Sequence, residues 1–483
     1  MKYTSCFLVF CLFVFSLLGC VGPPERNDEQ STSQKPQPVV QPVEQKPAVE
    51  PAAAATENSP DNLNTEVGAK FQETKTISVY LPKLAQKNTP IPVVFIFDPG
   101  ANGNLPIGIY QPLADKFGYA LVSSNVSKNG QEISQGLAIF KQMKKEFSGM
   151  QTIDEKRVYT LGFSGGARVA ASIAMTEKNI SGVIGCGAGL PFGEESPDTK
   201  FDYFGMVGNQ DFNMTELIRL DISLKKAGFN NDLYVYDGKH AWPPEEVMKE
   251  AFFWLETNAM KKQTAPKNGE LITEIMQYFD KLTADLEREN RIYDASKAAE
   301  RAVYFLKGLT NITNSESRYN TLSADSRCKA QFEKKVKIRL EEMGEQNKLL
   351  GSFTTMDVAW WTQTVNELNK PLDDLERQNM NRRLITWLGL VAYLSSNNAL
   401  KKGQTDVAGP FLEIYGTLEP ANPECAYLGA VLQMQLNKPD AAIEHLKKAV
   451  NLGFKDSQRM ARDTAFIALQ NRSDFKNLLK GTN

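Results

Sequence analysis

Histidine is scarce in this sequence, with 2 residues among 483, and cysteine is limited to 6. No H-E-x-x-H motif occurs, so any site that needs an imidazole must use His240 or His445. Lysine and arginine total 55 against 57 aspartate and glutamate, and this balance leaves no basic excess to neutralise phosphates. The scarcities argue against His-rich metalloenzymes and against nucleic acid as the main partner, and no metal site is expected.

The N-terminal segment 1–19 has the pattern of a signal peptide. Its apolar run at residues 6–18 is too short to span a bilayer of about 30 Å but suits a signal core. The run ends in LLGC at residues 17–20, which resembles a bacterial lipobox and implies that Cys20 is diacylated. A plain secretory signal cut near Gly22 is the alternative. The resemblance predicts a bacterial cell-envelope protein, anchored in the outer membrane or at the periplasmic face.

Residues 20–66 are rich in proline, glutamine, glutamate and alanine. This composition cannot bury much apolar area and favours extended conformations, so a tether is predicted between the lipidated Cys20 and a folded body. Cleavage would leave three other cysteines, too few for a disulfide framework. We expect these three to be buried thiols: Cys186, Cys328 and Cys425.

Strand-like and helical segments alternate between residues 67 and 262. The apolar strands are continuous, which predicts an α/β fold with a doubly wound, mostly parallel sheet covered on both faces. The predicted strands are 75–82, 91–99, 119–125, 157–163, 182–189, 201–208 and 232–238. The predicted helices are 112–117, 133–147, 165–176, 214–227 and 245–258.

The chain after residue 266 has helical periodicity and no convincing strand, which predicts an all-α region. It also contains a weak internal repeat. Residues 387–394 (WLGLVAYL) resemble residues 427–434 (YLGAVLQM), and residues 406–420 resemble residues 440–453.

This repeat is similar to two degenerate tetratricopeptide units, and an irregular helical bundle is the alternative. Tetratricopeptide units present a concave surface, so the resemblance implies a protein partner. The predicted helical segments are 266–385 and, with tetratricopeptide-like character, 386–483.

The sequence GFSGG at residues 162–166 lies between a predicted strand and a small-residue helix. G-x-S-x-G at such a junction is the pattern of a nucleophile elbow, because a serine must project from a tight turn that only small neighbours permit. The pattern makes Ser164 a candidate nucleophile and the N–H group of Gly165 a candidate oxyanion donor. A plain turn serine is the alternative.

Two further polar residues follow later strands. Asp211 comes after the strand at 201–208, and His240 comes after the strand at 232–238. The chain order Ser164, Asp211, His240 is the α/β-hydrolase order. His240 is also the only histidine between residues 67 and 262, so no other imidazole there could activate Ser164.

Other interpretations of these residues stay open at this point. Asp211 could instead cap the helix at 214–227, since aspartate is favoured at that position. Asp202 and Asp237 are rival candidates for the acid, and His240 could be structural. His445 lies on a helical face beside two lysines and is expected to be solvated.

Residues 68–262 resemble the α/β-hydrolase superfamily, in the branch of polyhydroxybutyrate-depolymerase-like and feruloyl-esterase-like carboxylesterases. The resemblance is carried by the elbow, by an aspartate after a strand, and by GKHAWP at residues 238–243, which matches the Gly-x-His-x-Trp-Pro pattern of that branch. It implies Ser164 as the nucleophile, Asp211 as the acid and His240 as the base.

One position departs from the branch. Relatives usually carry a His-Gly pair after the strand that supplies the second oxyanion donor, whereas Asp98 occupies the histidine position here. The main-chain N–H of Ala101 or Asn102 could still serve, because the donor is backbone. Asp98 would add a negative charge near an oxyanion, which counts against efficient ester hydrolysis.

Two residues are candidate substrate contacts. Asn125 ends a strand at the carboxyl edge of the predicted sheet, where ligands bind, although a turn role would also explain it. Trp242 follows the candidate base. The glycines of residues 185–189 lack G-x-G-x-x-G spacing and no P-loop occurs, so no nucleotide cofactor is expected.

Two functions fit these observations. The first is an envelope serine hydrolase, a carboxylesterase that acts on a small-molecule or polymer ester through an acyl-enzyme, with amide cleavage as a minor variant. The second is a non-catalytic envelope scaffold or binding lipoprotein that uses its helical repeats and carries a degenerate hydrolase domain. The complete Ser-Asp-His order favours the first, whereas Asp98 and the long helical region favour the second.

Overall fold

A computed structural model describes residues 70–86, 88–191 and 199–481 of the chain. The predicted signal peptide, the lipidated Cys20 and the tether lie outside the described residues. Within the described part, no helix is both long enough and apolar enough to span a membrane.

An eight-stranded sheet forms the centre of the N-terminal part, in the order β1-β2-β4-β3-β5-β6-β7-β8. Strand β2 pairs antiparallel with β1 and β4, and the other pairings are parallel. The strands are β1 Lys70–Glu73, β2 Ile77–Leu81, β3 Ile91–Phe97, β4 Ala120–Ser124, β5 Ile153–Phe163, β6 Gly182–Cys186, β7 Tyr203–Gly208 and β8 Asn231–Tyr236.

Helices cover both faces of this sheet because alternate strand residues point to opposite sides. Val94 and Ile96 of β3 join one apolar core, and Val93 and Phe95 join the other. The covering helices are α1 Asn104–Phe117, α2 Ile133–Ser148, α3 Gly165–Thr176, α4 Met214–Lys226 and α5 Glu245–Lys261. The doubly wound α/β fold predicted from the strand pattern is confirmed.

Two elements differ from the prediction. Strand β1 was not predicted, because its four residues KFQE alternate without a clear apolar signal. Helix α1 begins at Asn104 and not at Pro112, which lies inside it. Burial of Ile107 and Tyr110 in the first two turns offsets the cost of an internal proline, which is about 3 kcal/mol.

The chain after α5 is helical, as predicted. Asparagine or aspartate side chains cap α6, α9, α10, α11 and α13 by accepting hydrogen bonds from first-turn N–H groups. The helices are α6 Gly269–Arg288, α7 Ile292–Leu306, α8 Thr313–Ala324, α9 Ser326–Ser352, α10 Val358–Leu368, α11 Leu375–Lys401, α12 Thr405–Leu418, α13 Pro423–Gln435, α14 Pro439–Asn451, α15 Ser457–Arg462 and α16 Ser473–Gly481.

The first two of these helices belong to the core of the sheet. Ile275 and Phe279 of α6 and Phe305 of α7 are buried in the same apolar cluster as α1 and α5. The core of the α/β part therefore continues across the predicted boundary at residue 262.

Helices α11 to α14 pair as two successive hairpins, α11 with α12 and α13 with α14. Two glycines that the repeat aligns each contact a side chain from the following helix or its end. Gly389 of α11 lies against the side chain of Glu419, and Gly429 of α13 lies against the ring of His445. Ala408 and Ala442 are fully buried in the second helix of each hairpin. Small residues therefore lie at close contacts in both hairpins.

A buried ion pair links the helical region to the sheet. Arg383 of α11 donates to both carboxylate oxygens of Glu342 of α9, at 2.6 to 3.0 Å, with both side chains almost fully buried. The remaining Nη1 of Arg383 donates to the main-chain carbonyl of Asn209, in the loop after β7. Each charge is thus compensated inside the protein, which is the condition under which a buried pair is tolerated.

We predict that Arg383→Met lowers the free energy of unfolding by about 3–5 kcal/mol, because it leaves the buried Glu342 uncompensated. Arg377 of the same helix is the control, since its pair with Glu341 is 41% and 33% exposed and contributes at most about 1 kcal/mol. Urea unfolding of the two single variants measures the difference. If Arg383→Met and Arg377→Met had the same free energy of unfolding, the buried pair would not be important for the stability of the fold.

Candidate functional site

Ser164 lies in the tight turn between β5 and α3, with φ 52° and ψ −123°. Such a backbone conformation costs a non-glycine residue on the order of 1–3 kcal/mol and persists only when its surroundings enforce it. Here they do, because a Cβ on Gly162 would overlap the backbone of Gly166. A Cβ on Gly166 would in turn overlap the carbonyl oxygen of Phe97 at the end of β3. The small residues of the motif are therefore required by the close approach of α3 to two strands.

A chain of two hydrogen bonds connects the three candidate catalytic residues. Nε2 of His240 lies 3.0 Å from Oγ of Ser164, and Nδ1 of His240 lies 2.8 Å from Oδ2 of Asp211. Asp211 is 1% exposed, whereas Ser164 and His240 are half-buried. The structure thus brings together the three residues that the chain order singled out, with the carboxylate inside and the hydroxyl outermost.

Asp211 bonds both to the imidazole and to the turn before α4, and Asn213, not Asp211, is the N-cap residue of that helix. While Oδ2 bonds to the imidazole, Oδ1 accepts the main-chain N–H of Asn213 at 2.8 Å, at the start of α4. The main-chain carbonyl of Asp211 also accepts the N–H of Met214. One carboxylate therefore binds both the turn that precedes α4 and the ring of His240.

The rival residues are bonded elsewhere. Asp202 forms an ion pair with Lys262, and Asp237 forms one with Arg291. His445, expected to be solvated, is half-buried in α14, where burial and the nearby Lys448 lower its pKa. His240 is the histidine that the fold places beside Ser164.

Aromatic rings and a glycine with positive φ surround the imidazole. The rings of Phe163 and Phe212 lie 4.7 and 4.4 Å from the ring of His240, centroid to centroid. Gly187, after β6, has φ 65°, and a Cβ there would stand 3.0 Å from Oδ2 of Asp211 and 3.3 Å from Cε1 of His240. Sequence reasoning missed these contacts, although both phenylalanines adjoin candidate catalytic residues.

The loop after β3 differs from the expectation for the oxyanion donors. The N–H groups of Gly100 and Asn102 donate to Oδ1 of Asp98, at 2.8 and 3.1 Å, and the N–H of Ala101 donates to the main-chain carbonyl of Asp98. The loop thus folds around the buried carboxylate of Asp98, which accepts the N–H groups of Gly100 and Asn102. Ala101 and Asn102, predicted as donors to an oxyanion, direct their N–H groups to Asp98 instead.

Gly165 retains a donor. Gly165 is the first residue of α3, and its N–H has no acceptor among the residues that the structure describes. The N–H of Ser164 is already bonded to the carbonyl of Cys186, at 2.8 Å. The candidate site therefore holds one uncommitted main-chain N–H beside the serine, at the position predicted for it.

The two predicted substrate contacts have structural partners. Asn125 accepts a hydrogen bond from Oγ of Ser78 and donates to the carbonyl of Thr74, at 3.0 Å each, which gives it the turn role kept as its alternative. Nε1 of Trp242 donates to Oδ2 of Asp98 at 2.8 Å. The half-buried ring of Trp242 also packs against Phe163, so this residue does lie beside the serine turn.

The described residues offer few side chains for metal binding or for thiol chemistry. Across the described ranges, no group of three or more His, Cys, Asp or Glu side chains is arranged to hold a metal ion. Cys186, Cys328 and Cys425 are free, and Cys186 is fully buried beneath the serine turn. Burial raises the pKa of the Cys186 thiol far above its usual value, so this sulfur stays protonated.

No protein-family model matches the chain, and no curated protein matches it by sequence. Its fold is similar to S-formylglutathione hydrolase (FrmB) from Staphylococcus aureus, at 13% identity over 39% of this chain and 94% of that one, with a TM-score of 0.32. An esterase from Pyrobaculum calidifontis has 13% identity, 41% and 85% coverage, and a TM-score of 0.32. Est1E from Butyrivibrio proteoclasticus has 13% identity, 38% and 96% coverage, and a TM-score of 0.30. These likenesses cover about two fifths of this chain and assign no activity to it.

We predict that Gly166→Ala lowers the free energy of unfolding by about 1–3 kcal/mol, because the new methyl group must displace the backbone of β3. Gly108 of α1 is the matched control. A Cβ there meets nothing within 4 Å, so Gly108→Ala is expected to raise stability by about 0.8–1 kcal/mol. Urea unfolding separates the two outcomes. A Gly166→Ala protein as stable as Gly108→Ala would contradict the crowded turn.

Proposed function

We propose that this protein is a serine hydrolase, and most specifically a carboxylesterase that works through an acyl-enzyme. The observation that supports this proposal most strongly is the hydrogen-bond chain from Ser164 through His240 to Asp211, next to the free N–H of Gly165. Each residue has the partner that its role in a triad needs: a base on the nucleophile, and a buried carboxylate on the base.

In the acylation half-reaction, Oγ of Ser164 attacks the carbonyl carbon of an ester, and its proton passes to Nε2 of His240. The carbonyl π electrons move to oxygen, and the N–H of Gly165 donates to the oxyanion that forms. Asp211 holds Nδ1–H of the ring and stabilises the imidazolium. When the tetrahedral intermediate collapses, the C–O bond to the alcohol breaks, and the departing alkoxide takes the proton from Nε2.

Deacylation repeats these steps with water as the nucleophile. His240 removes a proton from the water, and the hydroxide adds to the acyl carbon. Collapse of the second intermediate breaks the bond to Oγ, which regains the proton from His240. The products are one carboxylic acid and one alcohol per water consumed, and the triad returns to its starting state.

The finer assignment follows the resemblance to polyhydroxybutyrate-depolymerase-like and feruloyl-esterase-like carboxylesterases. Its local support is the GKHAWP segment, in which Trp242 packs on Phe163 and bonds Asp98 while His240 faces Ser164. A small-molecule or polymer ester is therefore the substrate class proposed, and the mechanism requires no cofactor.

We further propose that the protein is a lipoprotein of the bacterial cell envelope, tethered to a membrane through Cys20. The proposal rests on the lipobox-like segment LLGC and on the proline-rich composition of residues 20–66. A folded hydrolase on such a tether would act near the membrane surface. The helix hairpins of α11 to α14 are proposed, in the same setting, to bind a protein partner as tetratricopeptide-like units.

A binding or scaffold lipoprotein without catalysis is the second candidate. One observation favours it, namely that apolar side chains at the starts of α10 and α11 are exposed. Val358 is 36% exposed and Leu375 is 59% exposed, and such residues are frequent in partner surfaces. Wild-type protein that neither hydrolyses esters nor reacts with a fluorophosphonate would select this candidate.

We predict that Ser164→Ala lowers kcat for p-nitrophenyl acetate hydrolysis by about 10⁴-fold or more and abolishes labelling by a fluorophosphonate. The cause is loss of the nucleophile, so the melting temperature should stay close to that of the wild type. Ser148→Ala is the control, because Ser148 is exposed at the end of α2, on a different element from the candidate site. Labelling of Ser164→Ala at the wild-type rate would refute the assignment.

We predict that Cys20→Ser moves the protein from the membrane fraction to the soluble fraction of a bacterial host and stops incorporation of radiolabelled palmitate, because the acceptor thiol is gone. Cys11→Ser is the matched control, since Cys11 lies inside the predicted signal core and should leave labelling intact. Palmitate incorporation into Cys20→Ser would count against the lipobox interpretation, as would a wild-type protein without label.

A further inference from the structure

The second oxyanion donor is missing from its expected place. A tetrahedral oxyanion is normally held by two donors, and loss of one typically costs about 2.7–4 kcal/mol of transition-state stabilisation. The loop after β3 would supply it, but Pro99 has no N–H, and the N–H groups of Gly100, Ala101 and Asn102 are all bonded to Asp98. If the site catalyses ester hydrolysis, another group has to complete the oxyanion hole.

The side-chain amide of Asn129 occupies the right place. It lies directly over Gly165, so that a Cβ on Gly165 would overlap Oδ1 of Asn129 and would stand 3.0 Å from its amide carbon and 3.6 Å from Nδ2. Gly165 is the residue whose N–H is the predicted first donor. An oxygen bound to that N–H would therefore be within reach of the Asn129 amide.

The backbone around Asn129 is fixed even though its side chain is exposed. Its N–H donates to the carbonyl of Pro99 at 2.9 Å, and the neighbouring Lys128 forms a β-bridge with Gly100. The side chain of Gln131 closes the loop by accepting the N–H of Lys128 and donating to the carbonyl of Val126. The backbone that carries this amide is therefore held in position before the reaction, which limits the reorganisation that an oxyanion hole must avoid.

The amide itself is uncommitted. Among the described residues, no hydrogen bond partner is found for Oδ1 or Nδ2 of Asn129. The terminal torsion of an asparagine is broad, so the amide can turn either end toward Gly165 at low cost. A negatively charged oxygen at that point would attract Nδ2, because N–H donors stabilise the charge and carbonyl oxygens repel it.

We propose that Asn129 is a catalytic residue that donates from Nδ2 to the oxyanion, opposite the N–H of Gly165. This inference rests on the proposed esterase function. It also gives Asp98 a definite part in the site, since the aspartate that binds the N–H groups of the β3 loop makes a side-chain donor necessary.

The test compares Asn129→Leu with wild type and with Lys128→Met, an exposed neighbour on the same loop. Leucine keeps the size of asparagine and removes the donor. We expect kcat for p-nitrophenyl acetate to fall about 10²–10³-fold in Asn129→Leu while KM changes little, because the bond forms only in the transition state. Lys128→Met should retain the kcat of the wild type.

A second measurement separates catalysis from a structural role. A trifluoromethyl ketone forms a tetrahedral adduct with a serine nucleophile and carries an oxyanion, so its affinity should fall in Asn129→Leu by the same factor as kcat/KM. A wild-type kcat in Asn129→Leu would overturn the inference. So would a loss of kcat that comes with a lower melting temperature and unchanged inhibitor affinity.

Failure of the proposed function gives a different result. If wild-type protein is inert to both the ester and the ketone, the esterase assignment and the role of Asn129 fall together. If the wild type is active and Asn129→Leu matches it, only the role of Asn129 is lost.

Discussion

The close approach of helix α3 to strands β3 and β5 is the constraint on which the site depends. Gly162 and Gly166 bring backbone against backbone, and this contact holds Ser164 at a positive φ. The strained turn lifts the hydroxyl out of the sheet edge toward His240 and leaves the N–H of Gly165 without an acceptor among the described residues. The positions of the Ser164 hydroxyl and of the Gly165 N–H are thus two consequences of one packing contact, because both result from a turn too tight for larger side chains.

The helical region contacts the loops that carry Asp211 and His240. Arg383 bonds the carbonyl of Asn209, two residues before Asp211, and Phe212 packs both on the ring of His240 and on the apolar core of the helices. Arg291 of the helical region pairs with Asp237, three residues before His240. The positions of Asp211 and His240 therefore depend on segments more than fifty residues away in sequence. This dependence gives the long C-terminal part a structural purpose.

Local patterns in the sequence were enough to predict the fold class and the three polar residues of the site. Continuous apolar strands predicted the parallel sheet, and the order of Ser164, Asp211 and His240 identified side chains that the sheet brings to one edge. The loop after β3 could not be predicted, because its N–H groups bind the side chain of Asp98 instead of pointing at a ligand. Asn129 was missed for a similar reason, since its place over Gly165 follows from the pairing of two loops and has no sequence motif. Tertiary contacts decide such positions, and short-range patterns do not record them.

If Ser164 forms a covalent acyl intermediate, the mass of the acylated protein shows it most directly. The purified protein should be mixed with a slight excess of p-nitrophenyl acetate and quenched in acid within milliseconds. The intact mass and a peptide map of the quenched protein are then measured. We expect one acetyl group per chain, on the peptide that contains Ser164, together with a burst of p-nitrophenol of matching amplitude. Hydrolysis that proceeds with no acetylated species, or with the acetyl group on another residue, would contradict it.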